Sequence, residues 1–147
     1  MQAFSDKLIN ITAQHKEEMS RRWCRAVRSN PRTPSFHTFS EEECYDHALN
    51  YYIKLKDMYF DEKPYPEVQK YFSRYAEQFF KRGIPLDEAV YALIMMRRHM
   101  WLYADFQAPF LTGMEHHQAV ETINRTIRIF DHGIYLVIQK YEELRNA

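Results

Sequence analysis

The sequence predicts an all-α fold, a bundle of about five helices ending in a long heptad-patterned helix. Three observations carry that expectation. Only 3 glycines and 6 prolines punctuate 147 residues, so turn formers are scarce. Against them stand 11 Tyr, 10 Phe and 2 Trp, apolar bulk enough for one domain over residues 1–147. Apolar residues recur at spacings of three and four, with no alternating strand pattern, internal repeat or low-complexity tract.

The first helix is expected from Ser5, its cap, to about Ser29. Its stripe is Leu8, Thr12, His15, Met19, Trp23 and Ala26. Asn30-Pro31-Arg32-Thr33-Pro34 then breaks the chain, because each proline disfavours helix in the residue before it. Ser40 and Glu43 form a capping box for the second helix, with Phe39 and Cys44 at the hydrophobic-staple positions. Its stripe is Cys44, Ala48, Tyr51, Leu55 and Met58, and Asp61 to Tyr65 ends it.

Pro66 suits the first turn of a third helix, whose buried face is Val68, Phe72, Tyr75 and Phe79, with Gly83 as its C-terminal cap. The fourth, from near Pro85 to about Phe106, is apolar nearly all round, which predicts the most enclosed position. Thr112 and Glu115 make a second capping box. The last helix carries Val120, Ile123, Ile127, Phe130, Ile134, Val137, Tyr141 and Leu144, an unbroken heptad seam. Gly133 within it lets another helix approach closely, against a cost of about 1 kcal/mol relative to alanine. The seam reads either as burial against the domain's own helices or as a dimer and signalling helix using Ile127, Phe130, Gly133, Ile134, Val137 and Tyr141. Its heptad is still running at Ala147, which points to a domain taken from a longer protein.

Charge and cysteine usage exclude several classes. Lys plus Arg (20) balance Asp plus Glu (20), so no net field draws the chain to nucleic acid or an anionic membrane. The six basic residues from Lys16 to Arg32 make a local patch that Glu41, Glu42, Glu43 and Asp46 can offset. Cys24 and Cys44 are too few for a disulfide framework or a four-cysteine zinc site, and read as buried thiols. There is no basic segment followed by an apolar run at the start and no stretch of about 20 apolar residues. The expected location is the cytoplasm.

Seven histidines invite a test for metal. A di-iron carboxylate bundle needs Glu-x-x-His motifs, yet no acid lies three residues before any histidine. No His-x-x-x-His or HExxH occurs, and His116-His117 point to different sides of a helix. Metal is therefore not expected. Haem needs one histidine on an apolar helix, and His99, flanked by Met95, Met96, Met100 and Trp101, is the candidate ahead of His15. Arg97-Arg98 is the oddest feature, since an inward guanidinium must meet a carboxylate or an anionic ligand. An ion pair to a neighbouring helix is the favoured reading. The alternative is a small-molecule pocket of Arg97, Trp101, Tyr75, His99 and Tyr103. No nucleophile elbow or Cys–His family motif occurs, so an enzyme is not expected.

Three blocks resemble a family. Trp23, Val27 and Asn30-Pro31-Arg32-Thr33-Pro34-Ser35-Phe36 are similar to the first-helix exit of RsbRD-type N-terminal domains. Arg82-Gly83-Ile84-Pro85-Leu86, then Ala92-Leu93 and Arg97-Arg98 before Trp101, resemble its middle block, and Asn124 to Phe130-Asp131, leading to Tyr141, its last helix. The resemblance implies a globin-like, non-enzymatic sensor domain that usually binds no haem and works as a homodimer. Such domains precede stressosome output modules or histidine kinases, to which a change in dimer packing passes along the C-terminal helix. The runner-up is a haem or small-molecule sensor using His99 and the aromatic pocket.

Overall fold

A computed structural model describes the backbone of residues 3–107 and 113–147, with side chains described at 10, 12–100 and 124–147. The described residues form five α-helices: α1 (Ala3–Val27), α2 (Glu41–Tyr59), α3 (Pro66–Lys81), α4 (Leu86–Gln107) and α5 (Gly113–Arg145), with a 3-10 turn over Pro34–Thr38. No strand occurs among them. The all-α bundle is therefore as the periodicity predicted. α1 packs against α2 and α4, and α3 against α5, whereas α2 and α3 touch only sparingly.

Ser5 is not the α1 cap, because the helix already runs from Ala3. α1 kinks at His15, where φ is −116° and ψ 17°. Its exit is fixed by Thr33, whose hydroxyl donates to the Val27 carbonyl at 2.8 Å. Asn30 Oδ1 accepts from the Arg32 amide at 2.8 Å, the local bond that lets asparagine turn a chain. In the 3-10 turn, Glu88 reaches across from α4 to accept from the Ser35 amide at 2.7 Å and the Ser35 hydroxyl at 2.8 Å.

Ser40 caps α2, its hydroxyl accepting from the Glu43 amide at 3.1 Å. The reciprocal half of that box is absent, since the Glu43 carboxylate pairs with Arg82. α3 is capped from a distance. Asp61 Oδ2 accepts from the amides of Glu67 (2.9 Å) and Val68 (3.1 Å), satisfying two of the orphan donors at a helix start. At the other end Gly83 lies at φ +76°, with Ile84 N–H to Phe79 O and Gly83 N–H to Phe80 O, both 3.0 Å. That pair is a Schellman closure, which needs the left-handed residue glycine supplies.

The core is aromatic, and three of its buried donors end on carbonyls of α4. Tyr75 donates to the Ala89 carbonyl at 2.8 Å, Trp23 Nε1 to Ala92 at 2.9 Å, and Tyr52 to Met96 at 3.5 Å. Helix carbonyls have a second lone pair, so they can satisfy buried phenol and indole donors without breaking the helix. Ring contacts continue through Phe36–Phe79 (centroids 5.3 Å apart), Phe79–Tyr75 (4.5 Å), Tyr51–Tyr71 (5.6 Å) and Tyr51–Phe130 (5.4 Å).

Val120 and Ile123 of the α5 heptad seam lie outside the described side chains, and from Phe130 to Tyr141 the seam faces inward. Phe130, Gly133, Val137 and Tyr141 are buried, and a Cβ on Gly133 would sit 2.5 Å from the Phe72 ring. The close helix approach expected at this glycine is therefore to α3 of the same chain. Of the six residues expected to serve a dimer helix, only Ile127 is exposed and Ile134 half-buried. α4 is less enclosed than its composition predicted: Leu86, Val90, Tyr91 and Ile94 form a half-buried outer face. The second capping box, Thr112 and Glu115, and the histidines His116-His117 lie outside the described side chains.

Candidate functional site

Of the residues named for the alternative pocket, the three whose side chains are described, Arg97, Tyr75 and His99, go to different places. Arg97 on α4 is half-buried and reaches Asp131 of α5 at 3.7 Å, with its guanidinium 5.9 Å from the Phe130 ring centre. This is the inter-helix ion pair. Tyr75 lies two helical turns away along α4, bonded to the Ala89 carbonyl. His99 is half-buried, and burial together with Arg22 and Arg98 lowers its pKa below the usual histidine range. The side chains of Trp101 and Tyr103 lie outside the described residues. The described members of this set do not converge.

The basic run from Lys16 to Arg32 is met by aromatic rings, the backbone and the acids Glu17 and Glu18 of α1 itself rather than by the acids opening α2. Arg21 lies over Tyr45 (5.2 Å), Arg32 over Tyr91 (5.6 Å), and Arg28 Nε donates to the Phe39 carbonyl at 3.1 Å. Glu18 on α1 itself takes Arg22 at 2.8 Å. Cys24 and Cys44 are both buried and free. Burial, with Cys24 beside it, pushes the Cys44 thiol well above the usual range. Among the described residues no three His, Cys, Asp or Glu side chains gather as a metal site.

Two surface features remain. The first is an apolar hollow of about 470 Å³ between α4 and α5, lined by Leu86, Asp87, Val90, Tyr91, Ile94 and Ile138. Ile138 is 40% exposed, and Tyr135 and Ile127 on α5 are 58% and 39% exposed. The periodicity of α4 held this signal, because a helix apolar all round can face both a core and a partner.

The second is a polar groove between α2 and α3, left open because those helices pack sparingly. Its wide lobe, about 540 Å³, is lined by Glu42, Asp46, His47 and Gln78 among others; a narrow lobe of about 60 Å³ is lined by Lys54, Met58, Glu67, Lys70 and Tyr71. Asn50 and Arg74 line both. Tyr71 and Tyr75 contribute to the wall between them. Next to Tyr71, the Tyr51 hydroxyl is fully buried without a hydrogen-bond partner. The His47 ring lies tilted against Phe79, centroids 4.7 Å apart, and burial lowers its pKa against the opposing pull of Glu43.

Sequence reasoning missed this groove. Its residues follow two stripes of spacing four, Asp46-Asn50-Lys54 and Lys70-Arg74-Gln78, each of which reads alone as a solvated helix face. Only their juxtaposition makes a cleft.

No protein-family profile, curated protein or solved structure matches the chain. Among the described residues no helix is long and apolar enough to cross a membrane. The class the structure defines is an all-helical bundle that presents, among its described residues, an apolar outer face and a polar groove.

Proposed function

We propose that the chain is a non-enzymatic input domain of a signal-transduction protein, an RsbRD-type regulatory domain that acts as a homodimer in the cytoplasm. A change in dimer packing passes through α5 to a downstream kinase or stress-signalling output module.

The observation that carries this reading is the apolar outer face of α4 and α5. Leu86, Val90 and Ile94 recur every four residues on α4 and meet Ile138 across a shared hollow. Two copies related by a twofold axis would bury this patch against itself, as isologous interfaces do. The inward face of the same α5 residues' turns, through Phe130, Val137 and Tyr141, packs on the core. A helix gripped by the core on one side and by a partner on the other can report a shift in either. A signal acts by favouring one dimer arrangement over another, with a strength set by its differential affinity for them.

Sedimentation tests the proposal. The expected result is a dimer at high micromolar concentration that Ile94→Arg converts to a folded monomer. A wild-type chain that stays monomeric contradicts it.

A further inference from the structure

The α2–α3 groove is electrostatically bipolar. Glu42 and Asp46 line its wide end and Lys54 and Lys70 the narrow one, with Arg74 at the junction lining both. None of these five side chains makes an ion pair with a described residue. Their charges are left for water or for a ligand. Glu43, by contrast, is already taken by Arg82.

The narrow lobe, about 60 Å³, has room for about two waters at ~30 Å³ each. A compact oxyanion fits that space and those donors, with the Tyr71 hydroxyl and the Asn50 amide adding neutral hydrogen bonds. An ammonium group does not fit there, because three cations face it across one acid, Glu67. At the wide end the preference reverses. Asp46 and Lys54 lie eight residues apart on α2, about 12 Å at 1.5 Å per residue. A ligand joining the two ends therefore separates its charges by roughly 6–12 Å, one to two helical turns.

We propose that this groove binds an extended zwitterionic small molecule, its oxyanion on Arg74, Lys70 and Lys54 and its protonated nitrogen on Asp46 and Glu42. The site goes beyond the regulatory reading and is independent of the dimer face on α4 and α5, so either can fail alone. Carboxylate and phosphate share the required oxyanion chemistry, and the probes separate them.

The test is a ¹H–¹⁵N titration of the full chain with 6-aminohexanoate and with 4-aminobutyl phosphate. Hexanoate, inorganic phosphate and hexylamine serve as the separate halves. At least one zwitterion is expected to give saturable shifts confined to α2 and α3, about tenfold tighter than either half because linked groups bind cooperatively. Whichever zwitterion binds more tightly identifies the oxyanion. Arg74→Ala and Asp46→Ala, both at exposed positions, are expected to keep the dispersed spectrum of the fold and to lose that advantage. No saturable shift below about 10 mM with either zwitterion overturns the proposal. So does a half that binds as tightly as the whole, or unchanged binding by Arg74→Ala.

Discussion

Trp23 of α1 donates its indole N–H to the Ala92 carbonyl of α4 at 2.9 Å, with no exposed surface on either residue. The bond pins the first helix to α4, whose carbonyls also take the buried hydroxyls of Tyr52 and Tyr75. Ala92 keeps its own helical hydrogen bond, so losing the indole donor strands no acceptor. Trp23→Phe is therefore expected to cost only about 1–2 kcal/mol. Trp23→Ala adds a cavity and is expected to cost about 3–5 kcal/mol. Urea unfolding followed by circular dichroism measures both.

Gly133 and Phe72 make the second prediction. Alanine is normally preferred to glycine inside a helix by about 1 kcal/mol. Here its Cβ would meet the ring of Phe72 at 2.5 Å, and that ring is fully buried. Overpacking of this kind costs about 1–3 kcal/mol, so Gly133→Ala is expected to destabilise rather than stabilise. Combining it with Phe72→Leu should cost less than the sum of the two single changes. Strict additivity in denaturant titrations would show that the two residues do not press on one another.

Glu88 is 6% exposed and holds the 3-10 turn through two bonds to Ser35. Glu88→Gln keeps one acceptor for the Ser35 amide and is expected to cost about 1 kcal/mol. Glu88→Ala leaves both Ser35 donors unsatisfied and should cost about 2–3 kcal/mol. Calorimetric melting separates the pair.

His47 and His99 both have pKa values lowered chiefly by burial from an ordinary value of 6.5. In the window between the lowered folded value and 6.5, the unfolded chain binds more protons than the folded one. Stability is therefore complete above about pH 6.5 and falls as the pH drops below it. Replacing both histidines with glutamine should flatten that part of the stability profile. A profile unchanged between pH 5 and 7 would rule out the assignment.

Cys24 and Cys44 are buried, and burial holds Cys44 as a neutral thiol. Since the thiolate is the reactive form, the native protein is expected to react with Ellman's reagent at least ~100-fold more slowly than the urea-unfolded chain. Equal rates would place the thiols at the surface.

Much of this fold was legible in the sequence, and the reason is periodicity. The α2 stripe from Cys44 to Met58, the α3 stripe from Val68 to Phe79 and the Gly83 closure are all local patterns, and each is observed. What escaped was long-range. Asp61 caps α3 across an intervening turn, and Glu88 caps the 3-10 turn from another helix. The destination of the α5 seam was also open, because a heptad suits an intramolecular groove as well as a partner. The bulk of Phe72 opposite Gly133 decided it. The alternative pocket around Arg97 depended on bringing Tyr75 to it, and Tyr75 is held two turns away by Ala89.

The central claim is that α4 and α5 present the face on which two copies meet. Cysteine cross-linking tests it most directly. Single variants Val90→Cys, Ile94→Cys and Ile138→Cys are oxidised in the full chain beside Ile53→Cys, an equally apolar site on α2 that is 54% exposed. The account predicts a disulfide-linked dimer from at least one of the first three and none from the control. Cross-linking no greater at any of the three than at Ile53 would contradict it.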